Sequence, residues 1–182
     1  MRLFFAVNFS DPVKQKLLDM QNTLRINSLS GKFTLYDNLH LTLVFLGEVT
    51  FERYEMLCEI LSRLDGFVFP LTIMGAGRFR RDGGDIWWAG IEENRRLSDL
   101  HHMLSSKVRA AGFPVENRRF SPHITLGREV RLRSDFDAER FSRTIDGVNT
   151  EVNKISLMKS ERLSGRLTYT EVSAKTLFER QR

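Results

Sequence analysis

The sequence predicts an α+β fold: a bilobal domain spanning residues 1–182, with two pseudo-symmetric, mainly antiparallel sheets backed by helices and a central cleft between them. Three observations predict it. Short apolar, β-branched or aromatic runs alternate with segments of helical spacing. The string His40-Leu41-Thr42-Leu43 returns as His123-Ile124-Thr125-Leu126, 123 − 40 = 83 residues later. The same offset lays Leu3-Phe4-Phe5-Ala6 on Ile86-Trp87-Trp88-Ala89, and the helical apolar positions near Leu17 on those near Leu100. Strand, helix and His-x-Thr thus recur in one order without net insertion, which marks an internally duplicated supersecondary unit.

The elements follow in order. Leu3 to Asn8 is a compact apolar run and reads as a strand. Ser10-Asp11-Pro12 supplies an N-cap and a first-turn proline, and Val13, Leu17, Met20 and Leu24 keep helical spacing to about Ile26. Ser28 to Gly31 breaks that helix. Phe33 to Tyr36 reads as a short strand, and Leu39 to Leu46 as the first His-x-Thr strand, stopped by Gly47. Thr50 caps a second helix whose buried stripe is Tyr54, Leu57, Cys58, Leu61 and Leu64. Phe67 to Ala76 and Ile86 to Ile91 read as strands joined by a turn through Asp82-Gly83-Gly84, where glycine tolerates positive φ. Asn94 caps a third helix that buries Leu97, Leu100, Leu104 and Val108 and ends at Ala111-Gly112. Phe113 to Pro122 leads into the second His-x-Thr strand. Asp135 to Ile145 reads as a helix, and Val148 to Met158 and Leu167 to Phe178 as strands about a turn at Ser164-Gly165-Arg166.

Composition narrows the setting. The net charge of 28 − 23 = +5 suits a polyanionic partner without demanding one. The single cysteine, Cys58, precludes an internal disulfide and fits a reducing compartment. The apolar start is too short for a signal peptide, and no run approaches the ~20 residues of a membrane span. A cytoplasmic monomer, away from membranes, is expected.

The repeated motif carries the chemistry. Side chains two apart in a strand share a face, so each copy presents an imidazole and a hydroxyl about 6.6 Å apart, anchored by aliphatics behind. One such pair reads as ordinary strand packing; two at equivalent places, in a chain with four histidines, ask for a function. Imidazoles on opposite sides of a phosphorus can remove and deliver protons near pH 7, and threonine hydroxyls can donate to its nonbridging oxygens. No Cys/His cluster, His-Glu-x-x-His or acidic ladder offers a metal site, and no Walker loop or Gly-x-Gly-x-x-Gly supports nucleotide triphosphate hydrolysis or dinucleotide binding. No cofactor and no metal are expected. Arg128, five residues past His123, is a candidate phosphate ligand, and Arg118 and Arg119 are candidates for an RNA backbone. His101-His102 reads as a solvated or boundary pair of the third helix. Phe5, Trp87 and Trp88 read as core aromatics before base-stacking ones.

These residues carry a resemblance. Arg2-Leu3-Phe4-Phe5-Ala6-Val7, Asn38-Leu39-His40-Leu41-Thr42-Leu43 with Phe45-Leu46-Gly47-Glu48-Val49, and Phe120-Ser121-Pro122-His123-Ile124-Thr125-Leu126 with Arg128 resemble the 2H phosphoesterase superfamily. Within it, they are most similar to the bacterial and archaeal RNA 2′,3′-cyclic phosphodiesterases, also called 2′-5′ RNA ligases. The resemblance implies a bilobal fold and hydrolysis of a terminal 2′,3′-cyclic phosphate to a 2′-phosphate, on RNA ends or nucleotides. It further implies that His40 is the acid, His123 the base, and Thr42 and Thr125 the phosphate holders, with reversible 2′-5′ ligation open to the same groups. Asn8 departs from the acidic residue expected there. A binding module for RNA or nucleotides, without turnover, is the competing reading; two intact His-x-Thr pairs favour catalysis.

Overall fold

A computed structural model of the chain describes residues 1–117, 119–143, 145 and 147–179. In order, its elements are β1 (Arg2–Asn8), α1 (Asp11–Ile26), β2 (Ser28–Phe33), a 3-10 turn at Tyr36–Asn38, β3 (His40–Glu48), α2 (Phe51–Ser62), β4 (Phe69–Phe79), β5 (Asp85–Ile91), α3 (Arg95–Ala110), β6 (His123–Leu132), α4 (Ala138–Arg143), β7 (Val148–Val152), β8 (Lys154–Leu163) and β9 (Arg166–Thr176). Two sheets form, ordered β3-β1-β8-β9 and β2-β6-β5-β4-β7, and every pairing within them is antiparallel.

The predicted repeat is present: β1 with β3, and β5 with β6, are the two equivalent antiparallel pairs, with β3 at the edge of its sheet and β6 inside the other. The two halves are interlocked. β2 comes from the N-terminal half yet pairs with β6, and α1 packs on β6 and β2 while α3 packs on β3. One continuous core results. It runs from Leu3, Phe5 and Val7 of β1 through Leu17 and Leu24 of α1 to Trp87, Leu104, Ile124 and Leu126. Burial of that apolar surface is the main stabilising term.

The offset within the repeat is not uniform. By pairing register, Phe5 faces Val44 as Trp87 faces Gly127, and Ala6 faces Thr42 as Trp88 faces Thr125. The first strands therefore match at 88 − 6 = 82, one less than the 83 that matches the histidines.

Three elements differ from the sequence reading. Ser28 to Phe33 is an edge strand, and Tyr36 lies in the 3-10 turn. An edge strand with four of its six residues exposed is held by backbone pairing to β6, so it carries no apolar alternation to read. Val148 to Met158 is two strands, divided at Asn153, that join different sheets. The last helix is Ala138–Arg143, starting three residues later than read, with Phe141 buried against Trp87; Thr144 lies outside the described residues. Asn94 does cap α3, its side chain accepting from the Leu97 amide at 3.1 Å, whereas Ser10 holds the N-cap backbone conformation of α1 without a side-chain bond.

Candidate active site

Both His-x-Thr pairs stand on the strands that predict them, and both face one cleft. His40, Thr42, His123, Thr125 and Arg128 all line a hollow of about 1100 Å³ between the sheets. A second hollow of about 470 Å³ adjoins it on the His123 side and shares Thr42, His123, Thr125 and Arg128. Behind the pairs, Leu41, Leu43, Ile124 and Leu126 are 0–3% exposed and fix each strand to the core.

Each imidazole is held in the same way. His40 Nδ1 donates to the Asn38 carbonyl at 2.7 Å, and His123 Nδ1 donates to the Ser121 carbonyl at 2.8 Å, two residues upstream in both cases. A ring whose Nδ1 carries the proton presents Nε2 as the acceptor when neutral. Nε2 of His40 lies 2.9 Å from Thr42 Oγ1, which can donate to it. Aromatic rings pack around both. Phe4 and Tyr169 lie 4.9 and 5.1 Å from the His40 ring, and Phe79 and Trp88 lie 5.1 and 6.1 Å from the His123 ring. Burial pushes His40 down from 6.5 to about 4. The Asn38 carbonyl pulls the other way, and the positive charges of Arg128, His123 and Lys14 add to the lowering.

Asn38 is a positioning residue that sequence reasoning passed over. It is 5% exposed, donates to the Leu167 carbonyl at 2.8 Å and accepts from the Tyr169 amide at 3.1 Å. Its side chain so fastens β9, and Tyr169 with it, to the turn whose carbonyl holds His40. Phe4 was also missed, although a signal existed: adjacent residues in a strand face opposite ways, so Phe4 and Phe5 cannot both enter the core. Phe5 is fully buried, as are Trp87 and very nearly Phe4, but Phe4 packs with Ala6, Met158 and Tyr169 on the cleft side.

Arg128 reaches the cleft by a route the sequence hid. It lies within β6, and at five residues from His123 strict alternation would turn it away. A β-bulge reverses the phase: Trp87 pairs Gly127 and Trp88 pairs Thr125, leaving Leu126 as the extra residue. β3 bulges at the equivalent Leu43, between Val44 and Thr42, and brings Phe45 to the same face. Arg119 is exposed and lines the smaller hollow. Arg118 lies outside the described residues. Among the described residues no group of three His, Cys, Asp or Glu side chains could hold a metal ion, and no helix is long and apolar enough to cross a membrane.

This geometry meets its match among known proteins. The pattern that defines the 2′-5′ RNA ligase superfamily matches residues 21–163. The chain belongs to that superfamily. Proteins named RNA 2′,3′-cyclic phosphodiesterase are similar over most of it. That of Thermotoga maritima is 30% identical over 184 residues, covering 100% of this chain and 95% of the relative. That of Escherichia coli K12 is 35% identical over 130 residues, 71% and 72% of the two. The crystal structure of E. coli LigT in apo form has a TM-score of 0.80 at 30% identity, covering 97% of this chain and 96% of the other. LigT complexed with 3′-AMP agrees equally, at 0.80 and 30% with 97% of each covered. The family resemblance read from the motifs is thereby borne out, and with it an enzyme of this superfamily. Its departure at Asn8 has a local counterpart. The Asn8 amide lies 3.1 Å from Ser156 Oγ and 3.4 Å from Glu171 Oε2, so a carboxylate does stand beside position 8, supplied by β9.

Proposed function

We propose that this chain hydrolyses 2′,3′-cyclic phosphates, on RNA ends or nucleotides, to 2′-phosphomonoesters by metal-independent acid–base catalysis with His40 and His123. The observation that carries the reading is the matched pair of imidazoles, each anchored through Nδ1 to the carbonyl two residues upstream, facing one cleft with Thr42, Thr125 and Arg128. The names of the similar proteins supply the substrate class, and E. coli LigT, of like fold, has been crystallised in complex with 3′-AMP.

The step is in-line displacement. A water oxygen bonds to phosphorus as the P–O3′ bond breaks; His123 Nε2 takes the water proton, and His40 gives its proton to O3′. The hydroxyls of Thr42 and Thr125 and the Arg128 guanidinium stabilise the charge on the nonbridging oxygens. His40 is neutral in the free protein at pH 7, so the anionic substrate must recruit its proton: a negative charge beside the ring offsets the burial that lowers it. With a 5′-hydroxyl in place of water, the same groups form a 2′-5′ diester. The chain acts, in this reading, as a cytoplasmic monomer and one domain.

Incubation with a nucleoside 2′,3′-cyclic phosphate, with the product isomer identified by ³¹P NMR, tests the proposal. A 2′-phosphate is expected. A 3′-phosphate would show the ribose bound in the opposite sense, and no turnover of mononucleotide or oligonucleotide would sink the proposal.

A further inference from the structure

The two bulges leave two equivalent backbone carbonyls outside the strand ladders, and the fold serves them from two helices. A bulged residue is unpaired in its ladder, and a buried carbonyl without a partner is costly. The Leu126 carbonyl receives the Gln21 side-chain amide from α1 at 2.8 Å and the Thr34 backbone amide at 2.9 Å. The Leu43 carbonyl, 126 − 43 = 83 residues earlier, receives His101 Nδ1 from α3 at 2.8 Å. Each donor comes from the helix of the opposite half.

His101 makes a contact that Gln21 does not. Its ring lies on Phe120 with centroids 3.9 Å apart and planes at 4°. Leu43 directly follows Thr42, and Phe120 stands three residues before His123. We propose that His101 is a positioning residue for the two-histidine reaction, tying the Thr42 end of one motif strand to the approach to His123. It thereby sets the separation of the two His-x-Thr pairs across the cleft. The proposal rests on the function argued above, because only in-line displacement between the pairs makes their separation matter. Nδ1 is committed to the carbonyl and Nε2 is 3.5 Å from Ser105 Oγ on the same helix, which fits a neutral ring used for geometry. Burial holding this imidazole below its usual range agrees. His102, exposed and next in sequence, has no bond to either motif strand and provides the internal control.

Two variants of the full chain separate the two contacts. His101→Phe keeps a ring for Phe120 and loses the donor. His101→Gln keeps a donor of the kind that Gln21 uses and loses the stack. Misplacement of reacting groups by an ångström costs up to about a hundredfold, so kcat for a nucleoside 2′,3′-cyclic phosphate should fall by roughly ten- to a hundredfold in His101→Phe and by less in His101→Gln. KM and the pH dependence of kcat should stay as in the wild type, and His102→Asn should match the wild type. Unfolding midpoints above the assay temperature confirm that the variants are folded; should His101→Phe not fold, His101→Gln alone decides. Wild-type kcat in the folded variants, or a rise in KM with kcat unchanged, overturns the positioning role. A wild-type protein that turns nothing over defeats the functional reading instead. The His40 and His123 imidazole resonances, recorded with inorganic phosphate, then decide for His101: they must shift in both variants, and unshifted resonances overturn it.

Discussion

Burial of His40 has a consequence for stability that can be measured without any substrate. In the unfolded chain this imidazole takes a proton near 6.5; in the fold it resists until about pH 4. Between those values the unfolded state binds more protons, so stability must fall as the pH falls. The contribution is fully present above pH 6.5, is lost progressively below it, and levels off below about pH 4. A difference of 2.5 pH units at 1.36 kcal/mol each makes it about 3 kcal/mol. His40→Phe removes the titration while keeping a ring against Phe4 and Tyr169, so other groups cancel when the two proteins are compared. Urea unfolding from pH 7.5 to pH 4 should show the wild type losing about 3 kcal/mol more than the variant over that range. Parallel stability curves would refute the reasoning, as would a wild type that gains on the variant with acid. Histidine NMR should agree, with His40 titrating well below the usual range in the free protein and rising when a nucleoside 2′-phosphate occupies the cleft.

His40→Ala or His123→Ala should cut turnover by about 10²–10⁴-fold with the fold intact, since each removes a proton-transfer group; kinetics near wild type would take that histidine out of the mechanism. Thr42→Ala and Thr125→Ala should each cost roughly 1–3 kcal/mol in kcat/KM, the loss of a hydrogen bond to a charged group, and unchanged kinetics in both would point the hydroxyls elsewhere. EDTA should leave turnover unaltered; activity lost to the chelator and restored by a divalent ion would overturn the metal-free step. Arg128→Ala and Arg119→Ala should weaken oligonucleotide binding and flatten its dependence on salt, a slope that a purely mononucleotide site would not show.

What could be read in the sequence was what repeats or alternates. His40, Thr42, His123 and Thr125 were legible because a strand's period of two fixes which residues share a face and the duplication shows the same pair twice. α1, α2 and α3 were legible because each buries a periodic apolar face, and β1 and β5 because each is a compact apolar run that the duplication shows twice. The remainder depends on partners distant in the chain. β2 has no apolar pattern and exists through its pairing with β6. The break at Asn153 sends β7 and β8 to different sheets, a choice that only tertiary pairing makes. Tyr169 comes to His40 from β9, held there by Asn38, and no local signal announces it.

The bulges show how a duplicated frame acquires two unlike halves. Before each bulge the faces alternate as a plain strand would, giving His40 and Thr42 on one side and His123 and Thr125 on the other. At Leu43 and Leu126 two successive residues turn inward, so Val44 and Gly127 join the buried side and the next residue of each strand faces the cleft. That residue is Phe45 in one half and Arg128 in the other. The backbone device is shared, yet one half offers an aromatic surface and the other a guanidinium. The enclosure differs too: His40 lies against Phe4 and Tyr169 with its proton disfavoured, and Arg128 is among the charges that disfavour it. An anion bound between the halves would meet Arg128 and, by neutralising that charge, return to His40 the proton that burial and Arg128 disfavour. Two copies with identical side chains would have equivalent histidines, with nothing to divide the proposed acid and base roles between them.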